Sequence, residues 1–176
     1  MNVLAVMVSL CAAAAVLPPD SGKRPPLSTV DHVDLQLYAG RWFEIARYPN
    51  PFQRDCQSDV TALYTLQKNG KVEVVNSCRK KNGKIKTARG TAKIADPSNA
   101  KLRVTFFWPF YGDYWIIGLD PDYRWAVVGE PRRRYLWILS RDPRMPLPEY
   151  DKVLDVVRSH GYDPDQLVQT PQSDQP

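Results

Sequence analysis

The sequence has few of the residues from which metal centres and nucleophilic sites are built. Its 176 residues include three cysteines and two histidines, with no Cys-x-x-Cys pair. A structural zinc site is therefore not expected. It also lacks a Gly-x-Ser-x-Gly motif, a phosphate-binding glycine loop and a dinucleotide fingerprint. We expect no metal, no cofactor and no catalytic residue, and the chain is interpreted as a non-enzyme.

The charge pattern excludes another class of partner. The net charge is +5, which favours mild attraction to anionic surfaces, including lipid head groups. Basic residues are dispersed along the sequence, and no recognisable nucleic-acid module accompanies them. Nucleic acid is therefore not an expected partner. A hydrophobic content of 43% and a charged content of 24% are ordinary for one globular domain.

No apolar run is long enough for a comfortable membrane span. The longest, Val3 to Leu17, is uncharged and has the length of a signal-peptide core. We predict a signal over residues 1–22 and a linker over 23–30, with an ordered amino-terminal helix as the alternative. Two fates of Cys11 stay open. The run Val8-Ser9-Leu10-Cys11 resembles a lipoprotein box in which this cysteine is acylated, whereas cleavage after it would discard it.

Alternating apolar and polar residues indicate about eight short strands between residues 40 and 141. Asn69-Gly70 and Asn82-Gly83 are strong hairpin signals. The clearest inside-outside pattern is the run from Leu102 to Phe106. Short connections favour an up-and-down antiparallel barrel over a sandwich. The predicted fold is all-β, an eight-stranded up-and-down antiparallel β-barrel.

One helix is expected after the strands. Residues 148–160 carry apolar side chains at helical spacing, and Gly161 follows as a carboxy-terminal cap. The apolar stripe of this helix should pack against the outside of the barrel. On the first strand, alternation places one set of residues inward, and Glu44 is expected near the closed end beside a cation. This inward set is Trp42, Glu44, Ala46 and Tyr48, and the outward set is Phe43, Ile45 and Arg47.

Aromatic side chains are predicted to face the barrel interior. They either line a ligand cavity or fill the core, since eight strands are near the limit that side chains can close. Asn76, with Lys80 and Tyr114, is a candidate for holding a carboxylate or phosphate near the rim. Cys56 and Cys78 lie on adjacent strands and form a disulfide or stay as two thiols. The inward aromatic residues are Tyr64, Phe106, Tyr114 and Trp137.

Three short motifs carry a resemblance to a known family. Gly40-x-Trp42, the turn Asp120-Pro121-Asp122-Tyr123 and Arg141 together resemble the three lipocalin signatures. The runs 41–47 and 135–141 are similar to those of bacterial outer-membrane lipocalins, whose relatives include plant temperature-induced lipocalins and apolipoprotein D. The resemblance covers residues 31–172, and residues 173–176 are left as a flexible tail.

The resemblance implies a lipocalin calyx that binds fatty acids or lysophospholipids in an exported, cell-envelope setting at the outer membrane or periplasm. It implies that Arg141 packs across Trp42 beside Gly40 at the closed end, as a cation–π closure. Membrane association would be peripheral or through a lipid anchor, and a homodimer is left open. The alternatives are a lipid- or isoprenoid-modifying enzyme, and an interaction module with a filled interior. The implied ligand-binding residues are Tyr64, Asn76, Val104, Phe106, Tyr114, Ile116 and Trp137.

Overall fold

Nine strands, two α-helices and two short 3-10 turns make up the regular structure of residues 24–173, the part of the chain that this computed structural model describes. The predicted signal over residues 1–22 and the candidate lipidation site Cys11 lie outside these residues. The elements in chain order are α1 (Leu35–Tyr38), β1 (Gly40–Arg47), β2 (Cys56–Leu66), β3 (Val72–Lys80), β4 (Ile85–Ile94), β5 (Lys101–Phe107), β6 (Phe110–Leu119), β7 (Trp125–Gly129), β8 (Leu136–Ser140), α2 (Leu147–Ser159) and β9 (Val168–Gln169).

Strands β1 to β8 form a closed antiparallel barrel. Each strand pairs with the next, and β1 completes the circle by pairing with both β2 and β8. Phe43, for example, lies opposite Thr61 on one side and Ser140 on the other. The prediction of an eight-stranded up-and-down barrel with an external helix is confirmed. The additional strand β9 was not predicted, because two residues carry no alternation pattern.

The two ends of the barrel differ in which loops they carry. The strand order places the start of β1 and the β2–β3, β4–β5 and β6–β7 turns at one end, called here the closed end. The loops after β1, β3, β5 and β7 lie at the other, called the open end. A ligand that enters the barrel must pass these four loops.

A bulge in β1 reverses the predicted alternation halfway along the strand. The register shifts between Glu44, opposite Leu139, and Ala46, opposite Ile138. One extra residue turns every following side chain to the other face. The prediction that Ala46 and Tyr48 face inward and Arg47 outward is therefore wrong.

Helix α2 covers the outer face of the barrel. It begins one residue earlier than predicted, at Leu147, and carries Glu149 in its first turn and Arg158 in its last, which complement the helix dipole. Val153 and Val157 are fully buried in an outer apolar cluster. The members that the barrel contributes to this cluster include Ala46, Tyr48, Val127, Leu136 and Ile138.

The carboxy-terminal residues fill a seam between β1 and β2. Direct pairing of these strands ends at Phe43 and Thr61, and beyond that point residues 168–173 lie between them. The amide of Thr170 donates to the carbonyl of Ile45 at 2.9 Å. The side chain of Gln172 donates to the carbonyls of Glu44 and Val60, at 2.8 and 2.9 Å. These hydrogen bonds bridge the two strands.

Asp59 fixes the end of this seam. Its backbone has φ 54°, a left-handed conformation that Asp tolerates. Its carboxylate accepts hydrogen bonds from the amide of Ser173 at 2.7 Å and from Nε of Arg79 at 2.6 Å. Burial acts to raise the pKa of the Asp59 carboxyl, but the hydrogen bonds from Ser173, Arg79 and Ser58 outweigh burial and lower this pKa to about 2.

Candidate ligand-binding site

The closed end of the barrel is sealed by Trp42 and Arg141. The Arg141 guanidinium lies 3.9 Å from the Trp42 ring centroid. It also donates to the carbonyls of Leu37 and Arg41, at 2.6 and 2.8 Å. Gly40 has φ 95°, and a Cβ there would lie 3.3 Å from Nη1 of Arg141. The three predicted closure residues Gly40, Trp42 and Arg141 thus lie together. Of the three, Gly40 has the left-handed backbone conformation that favours glycine.

A layer of three tyrosines lies above this floor. The hydroxyl of Tyr114 is 2.8 Å from the hydroxyls of both Tyr38 and Tyr64. Burial raises the pKa of Tyr64 to about 12 and raises the pKa values of Tyr38 and Tyr114 well above their usual range. All three phenols are therefore neutral at physiological pH and satisfy one another. The layer closes the lower half of the barrel.

The predicted wall residues divide between the two halves of the interior. Tyr64 and Ile116 are 5% and 0% exposed and belong to the packed lower half. Val104, Tyr114 and Trp137 are partly buried against the same core. Phe106 is 42% exposed, because it lies towards the open end. The predicted wall residues therefore lie at different depths, from the packed lower half to the half-exposed Phe106.

Small residues on β4 widen this upper region. Gly90 is inward by register, next to the buried Ala92. A Cβ at Gly90 would lie 2.8 Å from the Phe106 ring and 2.7 Å from the carbonyl of Thr105. Any larger residue at position 90 would therefore displace the Phe106 ring or the β5 backbone.

Asn76 contributes the one unpartnered polar atom of the described interior. It pairs with Ala62 on β2 and Ala88 on β4, so methyl side chains flank it on both sides. Within residues 24–173, its Oδ1 is the only buried side-chain nitrogen or oxygen without a hydrogen-bond partner. A buried carbonyl oxygen without a donor is costly. Asn76 can therefore accept a hydrogen bond from a ligand.

A buried polar network surrounds Glu44, which is 3% exposed. Its carboxylate accepts from Arg47 at 2.7 Å, from Gln53 at 2.6 Å and from Thr170 at 2.5 Å. Glu44 lies opposite Leu139 of β8, while its partner Gln53 belongs to an open-end loop, so the network extends from the lower barrel to the mouth, with Arg47 as the cation beside Glu44. The β1 bulge turns Arg47 inward to this carboxylate. No sequence pattern predicted the bulge or this pairing.

The loop after β1 folds across the mouth of the barrel and is held by contacts with β8, the β7–β8 loop and β4. Gln53 accepts from the Trp137 indole of β8 at 2.9 Å. The Phe52 ring packs against Tyr135 with centroids 5.3 Å apart, and the Phe52 carbonyl accepts from Lys86 of β4 at 3.4 Å. Lys86 was missed, whereas the predicted rim residue Lys80 lies at the end of β3.

A groove of about 450 Å³ borders the same loop. None of the predicted wall residues lines it. It lies between the mouth loop and the carboxy-terminal strand, and its lining is Arg47, Pro49, Asn50, Pro51, Gln53, Arg54 and Val168.

Cys56 and Cys78 are joined by a disulfide in the structure, with their Cα atoms 5.6 Å apart. The register puts Cys56 opposite Lys80 rather than opposite Cys78, and irregularities follow between residues 56 and 61. These irregularities let the two cysteines bond although the strand register does not place them opposite each other. The bond ties the mouth loop to β3.

Metal ligands are not clustered in the described part of the chain. Among residues 24–173, no group of three or more His, Cys, Asp or Glu side chains could hold a metal ion. Within the same range, none of the helices has the length and apolar composition needed to span a bilayer.

Comparison with known proteins agrees with the fold. A family model described as a lipocalin-like domain matches residues 33–172. The chain is 39% identical over 163 residues to temperature-induced lipocalin-1 of Arabidopsis thaliana, covering 88% of this chain and 87% of that one. It is 36% identical over 171 residues to the outer membrane lipoprotein Blc of Citrobacter freundii, covering 96% of both.

Solved structures show the same architecture. Insecticyanin from the tobacco hornworm Manduca sexta superposes with a TM-score of 0.71 at 23% identity, covering 87% of this chain and 88% of that one. The protein belongs to the lipocalin family. Lipocalins bind small hydrophobic ligands and are generally binding proteins rather than enzymes.

Proposed function

We propose that this lipocalin carries long-chain fatty acids or lysophospholipids in a cell envelope. The observation that carries the proposal is the division of the barrel interior. The tyrosine layer closes the lower half, while Val104 and Trp137 are partly buried above it and Phe106 is 42% exposed towards the mouth. We propose that these apolar side chains hold an acyl chain, because each buried methylene contributes about 0.8 kcal/mol without needing a polar partner.

The charges favour entry of the acyl tail first. Inside the barrel, Arg47 and Glu44 neutralise each other at 2.7 Å, so Arg47 is not available to an anionic head group. At the rim, Lys86 reaches the mouth loop, and Lys80, Lys81 and Lys84 lie nearby in the chain. A carboxylate or phosphate is therefore best accommodated towards the rim, with the tail inside the barrel.

Asn76 favours a ligand that carries a hydroxyl group. Its free Oδ1 can accept from the glycerol hydroxyl of a lysophospholipid, a donor that a simple fatty acid lacks. Binding would satisfy this buried oxygen, and a donor at this position contributes about 0.5–1.5 kcal/mol. Lysophospholipids should bind more tightly than fatty acids of equal chain length.

An envelope location is part of the proposal. The relative from Citrobacter freundii is named as an outer membrane lipoprotein, and the apolar run at residues 3–17 has the length of a signal core. Acylation of Cys11 would provide the anchor.

Ligand titration tests the carrier function. Lysophospholipid and fatty acid below their critical micelle concentrations are added while tryptophan fluorescence is followed. Trp137→Phe removes the indole inside the calyx, and Trp115→Phe removes one packed outside it. We expect the saturable signal to decrease strongly in Trp137→Phe and to persist in Trp115→Phe.

A second variant tests how the head group is recognised. Asn76→Leu should weaken lysophospholipid binding about threefold to tenfold and leave fatty-acid binding unchanged, because only the first ligand donates a hydroxyl. Absence of saturable binding for both lipids would refute the carrier function. Equal loss for both ligands would refute the role of Asn76 alone.

A further inference from the structure

The open end of the barrel presents aromatic side chains to solvent. At the β5–β6 hairpin, Phe107, Trp108 and Phe110 are 82%, 80% and 76% exposed. On neighbouring loops Phe52 and Ile85 are 61% and 57% exposed. An apolar surface of this extent marks an interaction site.

Basic residues are gathered at the same end. The four open-end segments 50–55, 80–86, 107–113 and 130–135 contain eight lysines or arginines and three acidic residues. The four closed-end segments 67–71, 95–100, 120–124 and 141–146 contain five basic and four acidic residues. The open end thus carries an excess of five positive charges, equal to the net charge of the whole chain. Residues that are dispersed in sequence are concentrated in space.

Several of these cations are positioned to meet a surface. Lys81, Lys84, Arg132 and Arg134 are exposed, and they stand on loops on both sides of the mouth. Aromatic side chains at a tip, surrounded by exposed cations, match the interface of a bilayer with anionic head groups. A second protein copy would meet the same positive charge and be repelled by it.

The path of the chain brings its amino-terminal side to this end too. The carbonyl of Pro25 accepts a hydrogen bond from Arg133 of the β7–β8 loop at 2.8 Å. Residues 1–23, with their apolar run, therefore join the described chain close to the open end. An anchor in that segment and the β5–β6 hairpin would reach the same membrane.

We infer that the open end is a docking surface for an anionic lipid bilayer, with the Phe107–Phe110 tip inserted among the head groups and acyl chains. Docked in this way, the calyx opens directly onto the source of its ligand. This inference rests on the proposed carrier function and specifies where loading takes place. It concerns residues that the soluble ligand titration does not test.

The chain contains a matched pair of sites for testing the charges. The sequence Lys-Asn-Gly-Lys occurs twice, at residues 68–71 on the closed end and at 81–84 on the open end. Both are hairpin turns with the Asn side chain accepting from the amide of the second Lys. Charge reversal of both lysines makes the same chemical change at opposite ends of the barrel.

Partition of the full-length chain into phosphatidylcholine vesicles containing phosphatidylglycerol is measured by flotation, without added ligand. We expect Lys81→Glu with Lys84→Glu to weaken partition about tenfold or more, and Lys68→Glu with Lys71→Glu to change it less than about threefold. Phe107→Ser with Trp108→Ser should have a similarly large effect, whereas Leu147→Ser, 77% exposed on α2, should have little. Residues 1–23 are the same in all variants, so differences in partition report the open end.

Insertion of the hairpin has its own signal. Brominated acyl chains should quench tryptophan emission in the wild type and lose this effect in Trp108→Phe, which keeps an aromatic side chain for binding. Equal partition of the two lysine variants, or equal quenching in Trp108→Phe, would overturn the inference. A wild-type dimer that Phe107→Ser with Trp108→Ser makes monomeric would also overturn it, since the surface would then be a protein interface. Ligand titration that succeeds while vesicle partition fails refutes the docking surface and leaves the carrier function standing.

Discussion

Replacing Glu44 by glutamine tests whether the buried network holds the mouth loop and the carboxy-terminal strand in place. Three donors converge on this carboxylate: Arg47 and Thr170 on Oε1, and Gln53 on Oε2. Gln53 cannot reverse its amide, because its oxygen already accepts from Trp137 and Asn50. The side-chain NH₂ group introduced by Glu44→Gln would face a donor in either orientation. This isosteric change therefore breaks at least one contact and removes the charge that Arg47 needs.

The expected cost follows from these contacts. Hydrogen bonds to a charged group contribute about 1.5–3 kcal/mol each, and leaving one partner of a buried pair costs about 3–5 kcal/mol. We expect Glu44→Gln to lower the free energy of unfolding by about 3 kcal/mol. The matched control is Glu73→Gln, whose partner Arg89 is 71% exposed at 3.5 Å. An exposed pair contributes less than about 1 kcal/mol.

Urea unfolding measures the change in stability, and amide hydrogen exchange locates it. In Glu44→Gln, the amides of Thr170 and Gln53 should exchange faster, while those of β3 and β4 should change only with global stability. If Glu44→Gln costs no more than Glu73→Gln, or if exchange at Thr170 is unchanged, the network does not hold the seam and the reasoning is wrong.

Two further predictions concern the closed end and the acid stability of the seam. Arg141→Ala should lower the free energy of unfolding by about 2–4 kcal/mol, through loss of the cation–π contact and of hydrogen bonds to carbonyls. Arg141→Lys should recover less than half of this in thermal unfolding, since an ammonium cannot serve those carbonyls together. Because the pKa of Asp59 falls from 3.8 to about 2 on folding, its carboxylate contributes stability above about pH 4 that is lost as pH falls towards 2. The loss is about 2 kcal/mol. Asp59→Asn, which tolerates the same backbone conformation, should flatten this part of the stability profile in acid titration, and an unaltered profile would contradict the assignment.

The architecture could be predicted because local and global signals agree along most of the chain. Alternation predicts strands β2 to β6, the two Asn-Gly turns predict hairpins, and the apolar stripe that ends at Gly161 predicts the helix. Strands joined by short hairpins pair with their sequence neighbours, so the antiparallel order follows without long-range information. The closed end followed from Gly40, Trp42 and Arg141, which form recognisable motifs.

The upper part of the site could not be predicted from pattern alone. The bulge after Glu44 carries no glycine or proline signal, yet it decides that Arg47 turns inward and Tyr48 outward. The pairing of Glu44 with Thr170 joins residues 126 positions apart, a separation at which periodicity carries no information. The concentration of cations at the open end likewise appears only when four separate loops are brought together.

The seam has a consequence for the order of events during biosynthesis. Residues 168–173 lie between β1 and β2, so the first two strands of the barrel are bridged by a segment that is synthesised after all eight barrel strands. Long-range contacts of this kind form late, because the loop between them must first close. A chain whose synthesis has not reached residues 168–173 therefore has a gap in its barrel wall, and the wall is complete only once these residues are in place.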